Sequence, residues 1–546
     1  MSLLHAVAAR GSAATDAAMA AAYAVVQQGS GWFAAGAGYA RQVTEAAAHA
    51  VMASGGAGFY EGASYTRRFL DMSAPRSGPN TPIIASGGTL TDRTYALARN
   101  ESYVRRGLNV LSVSIVGTGI TPLLEIDGES PLEEAHAELW EQTMEELDAN
   151  GITDGYGMQA QAVRGVLTAG DSFGRFRNRL VADRARYMPV PFAVPLQLEM
   201  LGAEMVPREK NELLPGGGDI IGGIQRGPYG NIEGYHVYRR HPSEWSLSGA
   251  SAGTTVFVGA DDMLHVHEVG REGMLRGEPR CASIILPAHD LHQGEDALQR
   301  TWNLQAFLGG FIEWAADPTE GLPGVAPGTR PSGAGTVTTQ WQPGDIPLLK
   351  PGQKWHPATP PDVGSTYEPA MRQRLRKMSA GLGCPYELLS MDLVGATYSS
   401  ARVGLIQFWS ECDVFLWHTL VPQFLRPLWL RWFDMAVRAG RLPLTLSKYL
   451  ENPRRYLNAV QWIPPKRPWV DPLKDVGAEL LAIEGGLTSR DEAILSRGRI
   501  PASVDRSRKR SKLRAIAEGV TDGKAPAAVA EEQDVDERQQ KRPEAA

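Results

Sequence analysis

Residues 365–383 read STYEPAMRQRLRKMSAGLG, a stretch that specifies an amphipathic helix with both ends marked. Met371, Leu375, Met378 and Leu382 recur at i, i+4, i+7 and i+11, one face of a 3.6-residue period. Ser365 with Glu368 three residues on matches a capping box, Gly383 can cap the far end, and Pro385 stops continuation. The remaining faces carry Arg372, Arg374, Arg376 and Lys377. Upstream, Pro287–Asp317 reads as a second long helix. Leu304, Phe307, Leu308, Phe311, Ile312 and Ala315 keep the same period, with Gly309 and Gly310 inside it. Between the two helices lie residues 318–361, with ten Pro and seven Gly and extended runs at Thr336–Trp341 and Ile346–Trp355. An insertion so polar and so interrupted cannot own a sizeable core and has to pack against something else.

Outward from this pair, the chain alternates in character. Residues 1–80 are rich in Ala, Gly and Ser, with a weak helical pattern at Ala13–Val26. Thr89–Tyr103 reads as helix, and the apolar run Val110–Val116 as strand, closed by Gly117-Thr118-Gly119. Pro131–Asn150 is a helix with Leu132, Leu139, Met144 and Leu147 as its apolar stripe. A β-rich module follows over 165–282. Its short runs are Val166–Thr168, Leu196–Met200, Ile220–Ile224, Glu233–Tyr238, Thr254–Val258 and Met263–Val269, with a hairpin turn at Tyr229-Gly230-Asn231. Beyond the loop Cys384–Thr397, Tyr398–Gly440 is aromatic-rich and helical, and Pro422 and Pro427 are predicted to kink or split it. Asp471–Glu484 and Ser489–Ser496 are short helices, and the tail is predicted to be disordered beyond about Val520.

Composition excludes several classes. With 546 residues, 43% hydrophobic and 21% charged, the chain is globular and has room for about three domains. Its net charge of −6 does not suit wrapping nucleic acid by bulk charge. The widely spaced Cys281, Cys384 and Cys412 form no CxxC pair, which fits buried thiols in a reducing compartment. Phe408–Ala436, the most apolar stretch, carries Glu411, Asp413, Arg426, Arg431 and Asp434, so no membrane span is expected. The N-terminus has no compact apolar core, and a soluble, cytosolic product is expected.

Motifs for chemistry are sparse. Gly170-Asp171-Ser172-Phe173-Gly174 and Gly249-Ala250-Ser251-Ala252-Gly253 both fit GxSxG, which makes a serine hydrolase using Ser172 or Ser251 the alternative reading. The motif needs a strand–turn–helix setting, whereas these surroundings read as hairpins, and there is no HGGG-type segment. His265 and His267 share one strand face, but only Glu268 lies nearby and it points away, so no metal site is assigned. No P-loop is present, Gly117-Thr118-Gly119 lacks the dinucleotide context, and no cofactor is implied. Arg506, Arg508, Lys509, Arg510, Lys512 and Arg514 form a basic cluster able to meet phosphates or to serve as a solvated face. The pattern points to a structural or interaction protein rather than an enzyme.

Several segments, taken in order over roughly 85–515, resemble the lambda-type portal proteins of tailed bacteriophages. They are Arg99-Asn100 with Val116-Gly117-Thr118-Gly119-Ile120, Gly170-Asp171, Ile224–Tyr238, Arg276-Gly277-Glu278-Pro279, and Pro343-Gly344 with Leu349-Lys350-Pro351-Gly352. The most specific are Tyr398-Ser399-Ser400-Ala401-Arg402 and Trp469-Val470-Asp471-Pro472-Leu473-Lys474, followed by Gly486-Leu487-Thr488-Ser489. The resemblance implies an α+β portal fold, mostly helical with a β-rich wing, that assembles as a ring, usually a dodecamer, at one capsid vertex. It implies an N-terminal arm at 1–80, a wing at 81–286, a stem helix at 287–317, a clip at 318–361 and a second stem helix at 362–383. A tunnel loop at 384–397, a long wing–crown helical region at 398–470, a crown at 471–520 and a disordered tail at 521–546 complete the implied layout. The loop tip is placed at Met391, Asp392, Leu393, Val394 and Gly395, while Tyr398, Ser399, Ser400, Arg402, Trp469, Asp471, Pro472 and Lys474 are structural. The implied partners are further copies of the chain, double-stranded DNA moving non-specifically through the channel, the terminase large subunit, the major capsid protein and a head–tail connector. The implied location is the virion, with host cytoplasm during assembly, and no membrane.

Overall fold

A computed structural model describes residues 77–126, 128–186, 188–243, 254–307, 310–314, 353–357, 364–395, 397–467 and 472–517. The chain divides into two compact units, Met1–Gly78 and Pro79–Ala546, and every element below belongs to the second. Ala13–Val26, Thr336–Trp341 and the tail beyond Val520 lie outside the described residues, as does nearly all of the arm and the insertion.

The architecture is α+β. Helices α1 (Asn80–Asn100) and α2 (Ser102–Val116) are separated at Glu101, whose backbone is extended and whose carboxylate accepts from the Tyr103 N–H at 3.2 Å. The apolar run Val110–Val116, expected as a strand, is instead the end of α2. Val104, Leu108, Leu111 and Ile115 are its buried stripe, while Val113 is 67% exposed. A short apolar run does not by itself distinguish helix from strand, and here the helical period extends back to Val104. After β1 (Thr121–Leu124) comes α3 (Ser130–Glu146), which buries Leu132, Leu139 and Met144 as expected, with Leu147 just past its end. Helix α4 (Gly155–Ala169) absorbs Val166–Thr168, the second run expected as strand. Asp154 caps its start by accepting from the Gly157 N–H at 2.6 Å.

Strands β2 (Asp171–Asn178) and β3 (Leu196–Leu201) open the β module, followed by β4 (Glu212–Leu213), β5 (Asp219–Ile221), β6 (Ile224–Arg226), β7 (Ile232–Tyr238), β8 (Thr255–Gly259) and β9 (Met263–His267). They form two antiparallel sheets, a three-stranded β3-β2-β9 and a five-stranded β4-β5-β6-β7-β8. The turn at Tyr229-Gly230-Asn231 joins β6 to β7 as expected, with Gly230 at φ +81°. Strand β2 serves both halves of the molecule. Phe173 belongs to a small cluster with Val206, Ile224, Tyr235, Val237 and Val258, and Phe176 to the main core. The period of two along a strand sends these two rings to opposite faces.

Helix α5 (Ile285–Phe307) is shorter than the long helix expected to reach Asp317. Gly310–Trp314 is strand β10, paired antiparallel with β11 (Gln353–Pro357) with Phe311 opposite His356. Glycine weakens a helix by about 1 kcal/mol per residue, and the aromatic and β-branched residues that follow suit a strand. Helix α6 (Gly364–Leu382) starts one residue before Ser365, so Ser365 lies inside the first turn and not at the cap. Its far end behaves as expected: Leu375, Met378 and Leu382 are buried and Gly383 takes φ +76°.

The loop 384–397 contains a short helix, α7 (Tyr386–Ser390). Helix α8 (Tyr398–Phe415) passes into a π-helix at Leu416–Leu425 and then into α9 (Arg426–Arg438). Pro422 and Pro427 therefore do not split the run. Pro422 sits within the wider π turns, and Pro427 follows directly on them as the second residue of α9, its fixed φ compatible with a helix that continues through it. This run carries the centre of the core, where Trp429 and Trp432 pack on Trp140 of α3, Phe433 packs on both of them, and Trp432 Nε1–H donates to Thr143 Oγ1 at 2.9 Å. Helices α10 (Leu446–Glu451) and α11 (Pro453–Leu457) lead to β12 (Val460–Ile463), which pairs with β1, Thr121 opposite Ile463. Helices α12 (Pro472–Glu484), α13 (Arg490–Leu495) and α14 (Pro501–Ala517) complete the chain, and Ser489 with Glu492 forms a full capping box on α13. All three cysteines are free and buried, and burial pushes Cys281 and Cys384 up to about 12. No helix among the described residues is long and apolar enough to cross a membrane.

Candidate functional site

Two contrasting sites emerge from the fold. The first is a buried polar junction where α4 becomes β2. Gly170 ends α4 in the left-handed region at φ +84°, which turns the chain directly into Asp171. A Cβ on Gly170 would lie 2.3 Å from the Gly277 carbonyl oxygen, and one on Gly277 would lie 2.0 Å from the Gly170 carbonyl oxygen. The two backbones touch, and only glycine fits either position. Asp171 is fully buried, and Oδ2 accepts from Arg276 Nε at 2.7 Å and from Arg208 Nη2 at 2.9 Å. Oδ1 accepts from the Gly277 N–H at 2.6 Å and from His265 Nε2–H at 3.2 Å. Arg276, also fully buried, donates onward to the carbonyls of Gly222 at 2.7 Å, Ala203 at 3.0 Å and Val206 at 3.2 Å.

Burial alone would raise the Asp171 carboxyl, but Arg276, the His265 bond and Arg208 outweigh it and hold the group far below the ordinary carboxylate range. Burial brings Arg208 down to about 10, which leaves it charged at neutral pH, and brings His265 down to about 4, which leaves it neutral. The junction is thus one anion shared by two cations, with its acceptor capacity filled. It locks the loop before α5 onto the helical core and onto the β module together.

The same residues test the metal question. His265 and His267 do share a face, their rings stacked 4.3 Å apart, and Asp171 adds a third donor with all donor atoms within 4.8 Å. Sequence reasoning missed Asp171 because it lies 94 positions away on the neighbouring strand. Glu268, the nearby acid, accepts from Arg280 at 3.1 Å instead. A cation placed among these donors would face two guanidinium groups and an already committed carboxylate. The donor set is built for the ion pair and not for a metal.

Ser172 also lies here, 4% exposed on β2 opposite Val266. The order is helix, turn, strand, the reverse of a nucleophile elbow, which removes Ser172 as a hydrolase nucleophile. Ser251 lies outside the described residues.

The second site is the loop after α7. Met391 ends α7 at φ +59°, a left-handed conformation uncommon for a side-chain-bearing residue. Arg106 of α2 holds this point through the Leu388 carbonyl at 3.2 Å and Met391 Sδ at 3.1 Å. Asp392 accepts from the Tyr386 hydroxyl at 2.7 Å and from the Val394 N–H at 3.0 Å, bonds that lower its pKa, with Arg372 3.6 Å away. Beyond this anchor the tip is bare. Leu393 and Val394 are 67% and 80% exposed, and Gly395 turns at φ +81°.

Of the remaining expected site residues, Tyr398, Ser399 and Ser400 begin α8 and Pro472 and Lys474 begin α12, while Trp469 and Asp471 lie outside the described residues. Arg402 Nη2 donates to Asp475 Oδ1 at 2.9 Å, so the two motifs meet through an acid that sequence reasoning had not singled out.

A family model described as phage portal protein, lambda family, matches residues 65–415. The chain is similar to a "Probable portal protein" of Halomonas phage phiHAP-1, 22% identical over 318 residues, 56% of this chain and 58% of the relative. It is also similar to "Portal protein B" of Escherichia phage lambda, 27% identical over 157 residues, 28% of this chain and 29% of the relative. The chain thus spans little more than half the length of the first relative and under a third of the second. Among solved structures, a chain in the neck of an empty gene transfer agent particle, computed with C6 symmetry, is similar at a TM-score of 0.42 and 15% identity, covering 80% of this chain and 100% of that one.

Proposed function

Because the chain belongs to the lambda family of phage portal proteins, we propose that it is a structural, non-catalytic subunit that closes with copies of itself into a ring, most simply a dodecamer, at one capsid vertex. Double-stranded DNA enters and leaves through the hollow axis. The terminase large subunit, the major capsid protein and a head–tail connector dock on its outer surfaces, first in the host cytoplasm and then in the virion. The observation that carries this reading is the family match over 65–415. The match includes the junction at Asp171 and Gly277, both long helices flanking the insertion, and the loop at 391–395.

In this reading residues 81–286 form the wing, with Asp171 as the residue that joins its helices to its sheets. Helices α5 and α6 form the stem. The clip is the insertion closed at its base by β10 and β11, so its first residue is nearer Gly310 than Pro318. The tunnel loop is 384–397 with its tip at 391–395, its exposed Leu393 and Val394 directed to the DNA path, and α12 to α14 form the crown. Apolar and neutral groups suit a surface past which a polyanion slides, because tight phosphate contacts would hold it.

Native mass spectrometry and negative-stain imaging of the purified chain test the ring. Annular assemblies with an opening at least as wide as duplex DNA are expected. A chain that stays a single stable copy at every concentration overturns the proposal.

A further inference from the structure

The last helix, α14, places six cations on a single acid-poor rod. Arg506, Arg508, Lys509, Arg510, Lys512 and Arg514 are all exposed, and the sole acid within the helix, Asp505, pairs with Arg490 of α13 at 2.5 Å. Among the described residues no ion pair engages Arg506, Lys509, Arg510, Lys512 or Arg514, although Arg508 lies close enough to Asp505 to lower its pKa. At 100° per residue, Arg506, Arg510 and Arg514 form one flank, Arg508 and Lys512 another, and Lys509 lies between them. Val504 and Ala515, both half-buried, fall in the narrow remaining strip with Ser507 and Ser511. A protein with a net charge of −6 therefore places six cations, five of them without an ion pair among the described residues, on one 17-residue helix.

We propose that α14 is a sequence-independent binding element for the phosphate backbone of duplex DNA. At 1.5 Å per residue the helix is about 25 Å long, against one DNA charge per about 1.7 Å of axis, so its length spans more than enough phosphates for all six cations. The cations fan around most of the helix and do not converge on one base edge, which favours backbone over base contact. Helix α14 has no aromatic residue and hence no stacking platform for single strands. This inference rests on the portal reading only for where the helix lies. Six phosphate contacts would hold a duplex and not convey it, so α14 belongs off the sliding track, on the crown side where packaged DNA rests.

The test uses the full chain, a labelled duplex of arbitrary sequence, and the variant R506Q/R510Q/R514Q, with circular dichroism to confirm that the fold is retained. Between about 50 and 200 mM salt the parent should lose about 10³-fold in affinity, and the variant's log–log salt slope should be shallower by about 2.7, that is 0.9 per lost contact. At the lower salt the variant should bind at least about tenfold more weakly. Unchanged affinity and slope overturn the inference, as they would if the acidic run Glu531–Glu537 already neutralised α14. Charge-dependent binding to phosphatidylserine-containing vesicles without binding to duplex also overturns it. Rings with DNA binding indifferent to the variant defeat this inference alone, whereas charge-dependent binding without rings defeats the portal reading alone.

Discussion

The Asp171 junction and the 391–395 loop are built in opposite ways. At the junction every oxygen of a fully buried carboxylate is engaged, two arginines share it, and two glycine backbones touch. In the loop, the polar groups serve only to anchor one end, and the apolar residues project outward. The junction holds the subunit together and has no capacity left for a partner. The loop adds little to the subunit and offers apolar surface that the other described residues leave uncovered. This contrast separates residues committed to the fold from residues the fold leaves exposed.

The contrast can be broken most directly at Asp171. Asp171→Ala leaves the buried Arg276 without its counter-ion and Arg208 without its main one, and should destabilise the chain by about 3–5 kcal/mol, read as a fall in denaturation midpoint. A loss below about 1 kcal/mol would show that the junction is not the tie between helices and sheets.

Acid titration sharpens the same side. His265 has a folded pKa near 4 against 6.5 when free, so the unfolded chain binds more protons between those values and stability falls as pH drops through that window. Asp171 is depressed as well. Its contribution is complete above the unfolded carboxylate value of about 3.9 and is lost only as pH falls below that. A slope of unfolding free energy between pH 6.5 and 4 that is shallower in His265→Gln is therefore expected. An identical slope in the two proteins would remove His265 from the balance.

The smallest effect belongs to the loop. Leu393→Ser with Val394→Ser should shift subunit stability by no more than about 0.5 kcal/mol, because little burial is lost, and thermal unfolding checks this. A larger loss would mean that the tip packs on its own subunit and would erase the distinction.

Much of the local structure could be read from residue order. The stripe Leu375, Met378 and Leu382, the Gly383 stop, the hairpin at Gly230 and the helix at 398–440 all obey short-range rules of period and turn chemistry. The Val110–Val116 and Val166–Thr168 runs misled because a few apolar residues fit either period. The change from helix, last described at Phe307, to strand at Gly310 misled because the partner strand, Gln353–Pro357, lies more than forty residues on.

Sequence by itself determined the apolar stripes of α3 and α6, the Gly383 stop, the hairpin at Gly230 and, through motifs in order, the family. Only tertiary structure decided that Asp171, Arg208, His265 and Arg276 are one ion-paired unit, and that Gly170 and Gly277, about a hundred positions apart, share one contact. The physical reason is that period and capping act through neighbours in the chain, whereas a buried charge is tolerated only through partners that folding delivers from anywhere along it.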